Sequence, residues 1–220
     1  MYESAKPDAI TIVTPHTLHF EHGMEALKAD CHVFMEKPMV TSVPQAHELD
    51  AFVRKTGKTL AIGYNTPCTP EFRYLRELIR NKTLGKLQTV TGRQSQDWKR
   101  LTTGTWRQDP KLSGGGQLYD SGAHMFNSLV WSVEQDVSEV LAFLDHCGTP
   151  VDINGTVNIR FVDGTLATMT ISGNSPVDSA GMYYTFENGR VEVDGWSGTW
   201  TRWCTRIMCI SIPRGGTRPF

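Results

Sequence analysis

Ala9-Ile-Thr-Ile-Val13, Cys31-His-Val-Phe-Met35 and Thr59-Leu-Ala-Ile-Gly63 are three short apolar runs, and what lies between them decides the fold. Each has the length of a strand, and the first is apolar and β-branched, consistent with a buried one. The first ends at Thr14-Pro15. From about Leu18 to Ala29, Phe20, Met24 and Leu27 recur at the spacing of a helix with one face in a core. The second run ends at Glu36-Lys37-Pro38. Ser42 then stands as an N-cap with Gln45 three residues on, the spacing of a capping box. The helix that follows turns Ala46, Leu49 and Val53 inward and stops at Gly57. Strand, helix, strand, helix, strand at these intervals predicts a parallel sheet built from βαβ units.

Beyond Gly63 the texture changes. A helix is predicted over about Pro70–Asn81, with Phe72, Leu75 and Ile79 inward, and a strand over Leu87–Gln94. The run Gly114-Gly-Gly-Gln-Leu-Tyr-Asp-Ser-Gly-Ala-His-Met-Phe-Asn127 opens on glycines and becomes helical. From Val137 onward strands are joined by tight turns. Asp163-Gly164 separates Thr156–Val162 from Thr165–Ser172, and Asn188-Gly189 separates Tyr183–Glu187 from Arg190–Asp194. Both dipeptides suit hairpin turns that need positive φ. The second half therefore reads as α+β with an antiparallel sheet.

The bulk numbers exclude several classes. In 220 residues, 22 Lys and Arg oppose 23 Asp and Glu, for a net charge of −1. That balance offers nothing to nucleic acid or to an anionic membrane, and no apolar run approaches the ~18–20 residues that span a bilayer. Met-Tyr-Glu-Ser-Ala-Lys-Pro-Asp at the start carries no secretory pattern. The five cysteines, at 31, 68, 147, 204 and 209, form no CxxC pair and read as reduced thiols of a cytoplasmic protein.

In parallel α/β sheets, ligands gather at the carboxyl ends of the strands. Three such ends carry polar residues: Thr14-Pro15-His16, Glu36-Lys37-Pro38 and Gly63-Tyr64-Asn65. Lys37 follows an apolar strand and precedes a proline, which restricts its backbone and allows a cis bond. A lysine fixed there can hydrogen-bond a substrate hydroxyl; a plain surface lysine is the alternative. His16, His19 and His22 lie three apart, but no fourth ligand is suitably spaced, so no metal is expected. His16 and His19 suit ligand contact, and His22 a structural role. Asp120 and His124, four apart, would share one helical face, continued by Asn127 and Trp131, with Leu118, Gly122, Met125 and Leu129 on a separate stripe. An acid beside an imidazole is a general acid–base pair or a solvated face, and two ligands are too few for metal. Trp196, Trp200 and Trp203 suit amphipathic packing better than a sugar-stacking platform.

These segments resemble the glucose–fructose oxidoreductase/inositol dehydrogenase (Gfo/Idh/MocA) family. The likeness rests on Ile12-Val13-Thr14-Pro15 with His19, Glu36-Lys37-Pro38, Trp106-Arg107-x-Asp109-Pro110, Ser113-Gly-Gly-Gly116 and Asp120-x-Gly122-x-His124, in that order, over roughly residues 8–195. The resemblance implies an α/β protein: the C-terminal part of a Rossmann domain over residues 1–65, then an α+β substrate-binding and oligomerisation domain with an open, mostly antiparallel sheet over residues 66–220. It implies hydride transfer between NAD or NADP and a sugar, polyol or related hydroxyl compound, in a homo-oligomer formed through the open sheet. By position, Lys37, Asp120 and His124 would be catalytic, with His124 as the acid–base. Thr14, Pro15, His16, His19, Glu36, Lys37, Trp106 and Arg107 would line the cofactor. Lys37, Asn65, Asp120, His124 and Asn127 would meet the substrate. Asn127 stands where many members have aspartate. The family's Gly-x-Gly-x-x-Gly turn, which lies upstream of the position of Thr14, is absent, since only thirteen residues precede Thr14 here. A truncated enzyme with impaired dinucleotide binding is therefore expected, with a non-catalytic sugar-binding or oligomerisation module as the alternative.

Overall fold

The computed structural model describes residues 2–194 and the strand segments 200–205 and 209–213. After a short helix α1 (Tyr2–Ala5), β1 (Ala9–Ile12), α2 (His19–Lys28), β2 (His32–Met35), α3 (Val43–Thr56) and β3 (Leu60–Ile62) form the predicted βαβ unit. The three strands are parallel, with β2 in the middle. Met24, Leu27, Val33, Met35 and Leu49 form its core. Gly57 adopts the left-handed cap conformation, φ 68°. Ser42 Oγ accepts from Gln45 N at 3.4 Å. The return half of the capping box is not made, for Gln45 Oε1 is buried without a partner.

The rest of the chain is α4 (Pro70–Arg80), β4 (Leu87–Ser95), α5 (Trp98–Thr102), α6 (Pro110–Ser113), α7 (Gly122–Val133) and β5 (Val137–Asp145), then β6 (Asn154–Phe161), β7 (Leu166–Ser172), β8 (Ser179–Phe186), β9 (Gly189–Asp194), β10 (Trp200–Thr205) and β11 (Cys209–Pro213). β4 to β11 make one open sheet in the order β11-β10-β9-β8-β4-β7-β6-β5. Only the β4–β7 pair is parallel. The structure is thus α/β, a Rossmann-like parallel sheet followed by a mixed, mostly antiparallel one. Helices α4 and α7 pack on the second sheet through Phe72, Leu75, Met125 and Leu129, against Met169, Met182 and Tyr184. Within that core Ser132 Oγ meets Tyr184 Oη at 3.1 Å. At the end of α7, Glu134 (φ 54°) is held by Arg76 and Arg80 of α4. Arg76 also lies 4.2 Å over the Trp131 ring. No helix among the described residues is long and apolar enough to cross a membrane.

Two expectations need correction, and a third falls outside the described residues. Gly164 has the expected positive φ, 88°, but neither Asn188 nor Gly189 is in that region. The β8–β9 connection closes instead with the main-chain Asn188 N–H bonded to Leu84 O. Of the tryptophan cluster, Trp196 and the side chains of Trp200 and Trp203 lie outside the described residues. Finally, the glycine-rich run does not pass straight into helix: α7 begins at Gly122, and residues 114–121 form a compact turn. Asp120 and His124 therefore do not share a helical face. A distant loop holds this turn. Asp152 accepts main-chain bonds from Gly116 (Oδ1, 2.7 Å), Gln117 (carbonyl, 2.8 Å) and Leu118 (Oδ2, 2.8 Å). A Cβ on Gly116 would stand 1.9 Å from the Asp152 carbonyl oxygen. Backbone cannot move aside cheaply there. Gly116→Ala is expected to destabilise the protein by about 3 kcal/mol, read from chemical denaturation; an unchanged midpoint would refute the account of the turn.

Candidate active site

Pairing of Ile12 with Met35 brings the carboxyl ends of β1 and β2 out side by side. Thr14-Pro15-His16 leaves one, and Glu36-Lys37-Pro38 the other, with a cis peptide at Lys37-Pro38. The 114–121 turn and the start of α7 lie against them. Tyr119 Oη donates to Val40 O, and Thr17 Oγ1 donates to the carbonyls of Lys111 and Leu112, so the two parts of the chain are stitched at this seam.

Asp120 is the hub. Its side chain is 8% exposed and accepts from Lys37 Nζ at 2.5 Å through Oδ1. Oδ2 accepts from Trp98 Nε1 at 2.9 Å and from Arg107 Nε at 3.2 Å. Lys37 Nζ donates in addition to the Asp120 carbonyl, 2.9 Å. Burial by itself would raise the Asp120 carboxyl, but the charge and hydrogen bond of Lys37, with those of Trp98 and Arg107, hold it below the usual carboxylate range. Arg107 in turn stacks over Trp106, 4.6 Å from the ring centroid.

The three histidines do not converge. His16 is buried, donates from Nδ1 to Ser113 O at 3.0 Å, and packs edge-on against Trp106 with ring centroids 4.8 Å apart. Burial pushes its pKa down to about 4 despite Asp120, whose Oδ1 lies 3.8 Å from Nε2. His19 is fully buried and bridges the carbonyls of Thr14 (Nε2, 2.8 Å) and Pro38 (Nδ1, 2.7 Å). It braces the two strand ends against each other. His22 Nδ1 meets Thr14 Oγ1 at 3.0 Å.

His124 stands on the first turn of α7 with Tyr64 edge-on to its ring, centroids 5.9 Å apart. Its Nδ1 is buried and unpartnered. Burial lowers its pKa, as does the charge of Lys37, against the pull of Asp120 and Glu36. Burial pushes the Tyr64 phenol up to about 12. Asn127, one turn on, has a buried and unpartnered Oδ1. It shares with Met39, Val40, Tyr64, Tyr119 and Phe126 the walls of a groove of about 540 Å³.

The structure thus brings Lys37, Asp120, His16, Trp106 and Arg107 into one connected network, with His124 and Asn127 beside it. Glu36 is exposed and accepts from the Lys37 main-chain N–H at 3.3 Å. Asn65 is exposed and accepts from Thr66 Oγ1, with no hydrogen bond to the network among the described residues. From that strand end Tyr64 is the residue that reaches His124. Sequence reasoning missed Tyr64, Trp98 and Asp152. Tyr64 stands inside a quoted strand end and was within reach; Trp98 and Asp152 lie in stretches with no pattern.

Comparison with known proteins accords with this architecture. Residues 1–64 match the profile of the oxidoreductase family with NAD-binding Rossmann fold, and residues 72–201 match the GFO/IDH/MocA C-terminal domain. D-glucoside 3-dehydrogenase of Escherichia coli (strain K12) is 34% identical over 133 residues, 60% of this chain and 37% of that protein. D-xylose 1-dehydrogenase [NADP(+)] of Haloarcula marismortui is 27% identical over 178 residues, 78% of this chain and 49% of that protein. The chain spans half or less of the length of these curated relatives. Among solved structures, the inositol dehydrogenase homolog complexed with NAD+ from Azotobacter vinelandii superposes with a TM-score of 0.88 at 17% identity, over 95% of this chain and 57% of that one. Matched by profile through both its sheets, the chain belongs to the GFO/IDH/MocA family of oxidoreductases.

Proposed function

We propose that this chain carries the substrate side of an NAD(P)-dependent oxidoreductase acting on a hydroxyl of a sugar, glycoside or polyol. The observation that supports it most is the pairing of Lys37 from one sheet with Asp120 from the facing turn, beside His124. Relatives named as glucoside, xylose and inositol dehydrogenases point to the same substrate class. The boundary between cofactor and substrate portions is taken at residues 65/66, and a cytoplasmic setting accords with the free thiols of Cys31, Cys68 and Cys147.

The residues present fit the nicotinamide end of a dinucleotide. Thr14, Pro15, Glu36 and Lys37 sit at adjacent strand ends, where such ligands lie, and Trp106 and Arg107 face them from the other side by way of His16 and Asp120. His19 contributes by fixing Thr14 and Pro38. When bound, NAD(P) supplies the hydride acceptor. Lys37 Nζ holds the reacting oxygen by a hydrogen bond, and Asp120 fixes Lys37. His124 takes the hydroxyl proton from that oxygen as the carbon loses hydride, leaving a carbonyl. Asn127 offers its free amide oxygen to a neighbouring hydroxyl. Within these 220 residues there is no glycine-rich pyrophosphate turn, so NAD(H) is expected to bind the isolated chain weakly; tight calorimetric binding would contradict that.

The open sheet suggests self-association. On β5 every residue is exposed, including Val140 (62%), Leu141 (57%) and Phe143 (66%). An exposed apolar edge strand of this kind is a ready template for pairing, and a second copy of the chain is the occupant we propose. Leu141→Lys with Phe143→Lys should convert oligomer to monomer in light scattering; a wild-type monomer at high concentration would count against it.

Catalysis is tested by turnover of a panel of glycosides, pentoses and inositols with NAD and NADP. His124→Ala and Lys37→Ala should each lower kcat about 10²–10⁴-fold. Retained sugar binding with no turnover on any pair would favour the non-catalytic module instead. A base must be neutral, and the His124 pKa lies below the ordinary 6.5. The acid limb of the kcat/KM profile for oxidation should therefore fall below pH 6.5, with rate lost as pH drops through it. A limb above that value would remove His124 from the role.

A further inference from the structure

Among the buried polar atoms near the site that have no partner are His124 Nδ1 and Gln94 Oε1. Gln94, on β4, is 2% exposed. The two side chains line one small, partly open pocket of about 30 Å³ beside α7, together with Thr66, Ser128, Gly181 and Met182. The far side of the Gln94 amide is already fixed. Its Nε2 donates to Gln96 Oε1 at 3.2 Å, and the same oxygen accepts from Gln117 Nε2 at 3.0 Å. With the nitrogen committed, Oε1 is the atom left for the cavity.

Such a space is too small for a sugar or a buffer molecule. It exceeds the roughly 10–15 Å³ that one water needs, and it offers the two or more polar partners that a buried water requires. Ser128 Oγ donates to the His124 carbonyl at 2.8 Å and makes no hydrogen bond to the ring nitrogen Nδ1. Asp120 does not bond Nδ1 either; its carboxylate accepts from Lys37, Trp98 and Arg107.

We propose that this cavity is a water site and that Gln94, through one bound water, sets the tautomer of His124. The water accepts from His124 Nδ1–H and donates to Gln94 Oε1. The imidazole then keeps its lone pair on Nε2, the nitrogen left for substrate, which is the form a base needs. The inference rests on the role given to His124 above and makes Gln94 a positioning residue for it. The charged and titratable groups acting on the ring, Lys37, Asp120, Glu36 and Tyr64, do not share this cavity.

Imidazole NMR on the isotope-labelled full chain tests it without any turnover. Above neutral pH, His124, assigned by its loss in His124→Gln, should be protonated on Nδ1. Gln94→Met removes the acceptor at similar volume and should shift the dominant tautomer toward Nε2–H. Gln94→Glu restores an acceptor and should restore Nδ1–H, with amide spectra reporting that each variant is folded. A wild-type ring protonated on Nε2, or a tautomer unchanged in folded Gln94→Met, overturns the proposal. Because the reading is structural, an inactive protein with the expected tautomers would defeat the enzymatic assignment and leave the water site standing.

Discussion

The ion pair between Lys37 and Asp120 is the constraint on which the arrangement of the two sheets depends. Both side chains are largely shut off from solvent, at 14% and 8% exposure. A buried carboxylate stripped of its counter-charge costs about 3–5 kcal/mol. Lys37 comes from the end of β2 and Asp120 from the turn before α7, so the pair spans the seam between the sheets, and replacing either partner would leave the other charge buried there. The same pair supplies the local electrostatics: the lysine charge keeps Asp120 ionised and helps to keep His124 neutral. Structure and chemistry at this point have one cause.

Around the pair lies a further set of braces. His19 ties the Thr14 and Pro38 carbonyls, so the strand end that presents Lys37 is fixed from behind. Asp152 gathers three successive main-chain N–H groups and so shapes the turn that presents Asp120. Arg76 and Arg80 pin the far end of α7 to α4 through Glu134. Each brace spans a seam between separately folded elements. Their combined effect is to hold the ends of Lys37, Asp120 and His124 on rigid supports, as the proposed proton transfer would require.

Much of the fold was legible because it is written locally. Alternating apolar runs, the Gly57 stop and the Ser42 cap are decided within a few residues, and the parallel sheet follows from their order. The identities of Lys37, Asp120 and His124 as a group came from motif order, while their geometry did not. The i,i+4 reading of Asp120 and His124 failed because α7 begins only at Gly122 and Asp120 lies in a turn whose main-chain N–H groups are held by Asp152, far along the chain. Trp98 reaches Asp120 for an equally non-local reason: its ring packs with Val151 and Ile153 from the same distant loop. No periodicity in residues 95–113 announces such a contact. The capping box was read correctly at its serine and failed at its glutamine, whose oxygen found no partner.

Trp98 carries a consequence of another kind. Its indole N–H is bonded directly to the Asp120 carboxylate, inside a dry cluster. An indole in that setting has its absorption and emission tuned by the negative charge at its nitrogen. Any event that neutralises or displaces the carboxylate, whether protonation, loss of Lys37 or arrival of a ligand between them, therefore writes itself into the near-ultraviolet spectrum. The protein carries its own optical probe of the charge at the centre of its site, one bond away from the residue that matters.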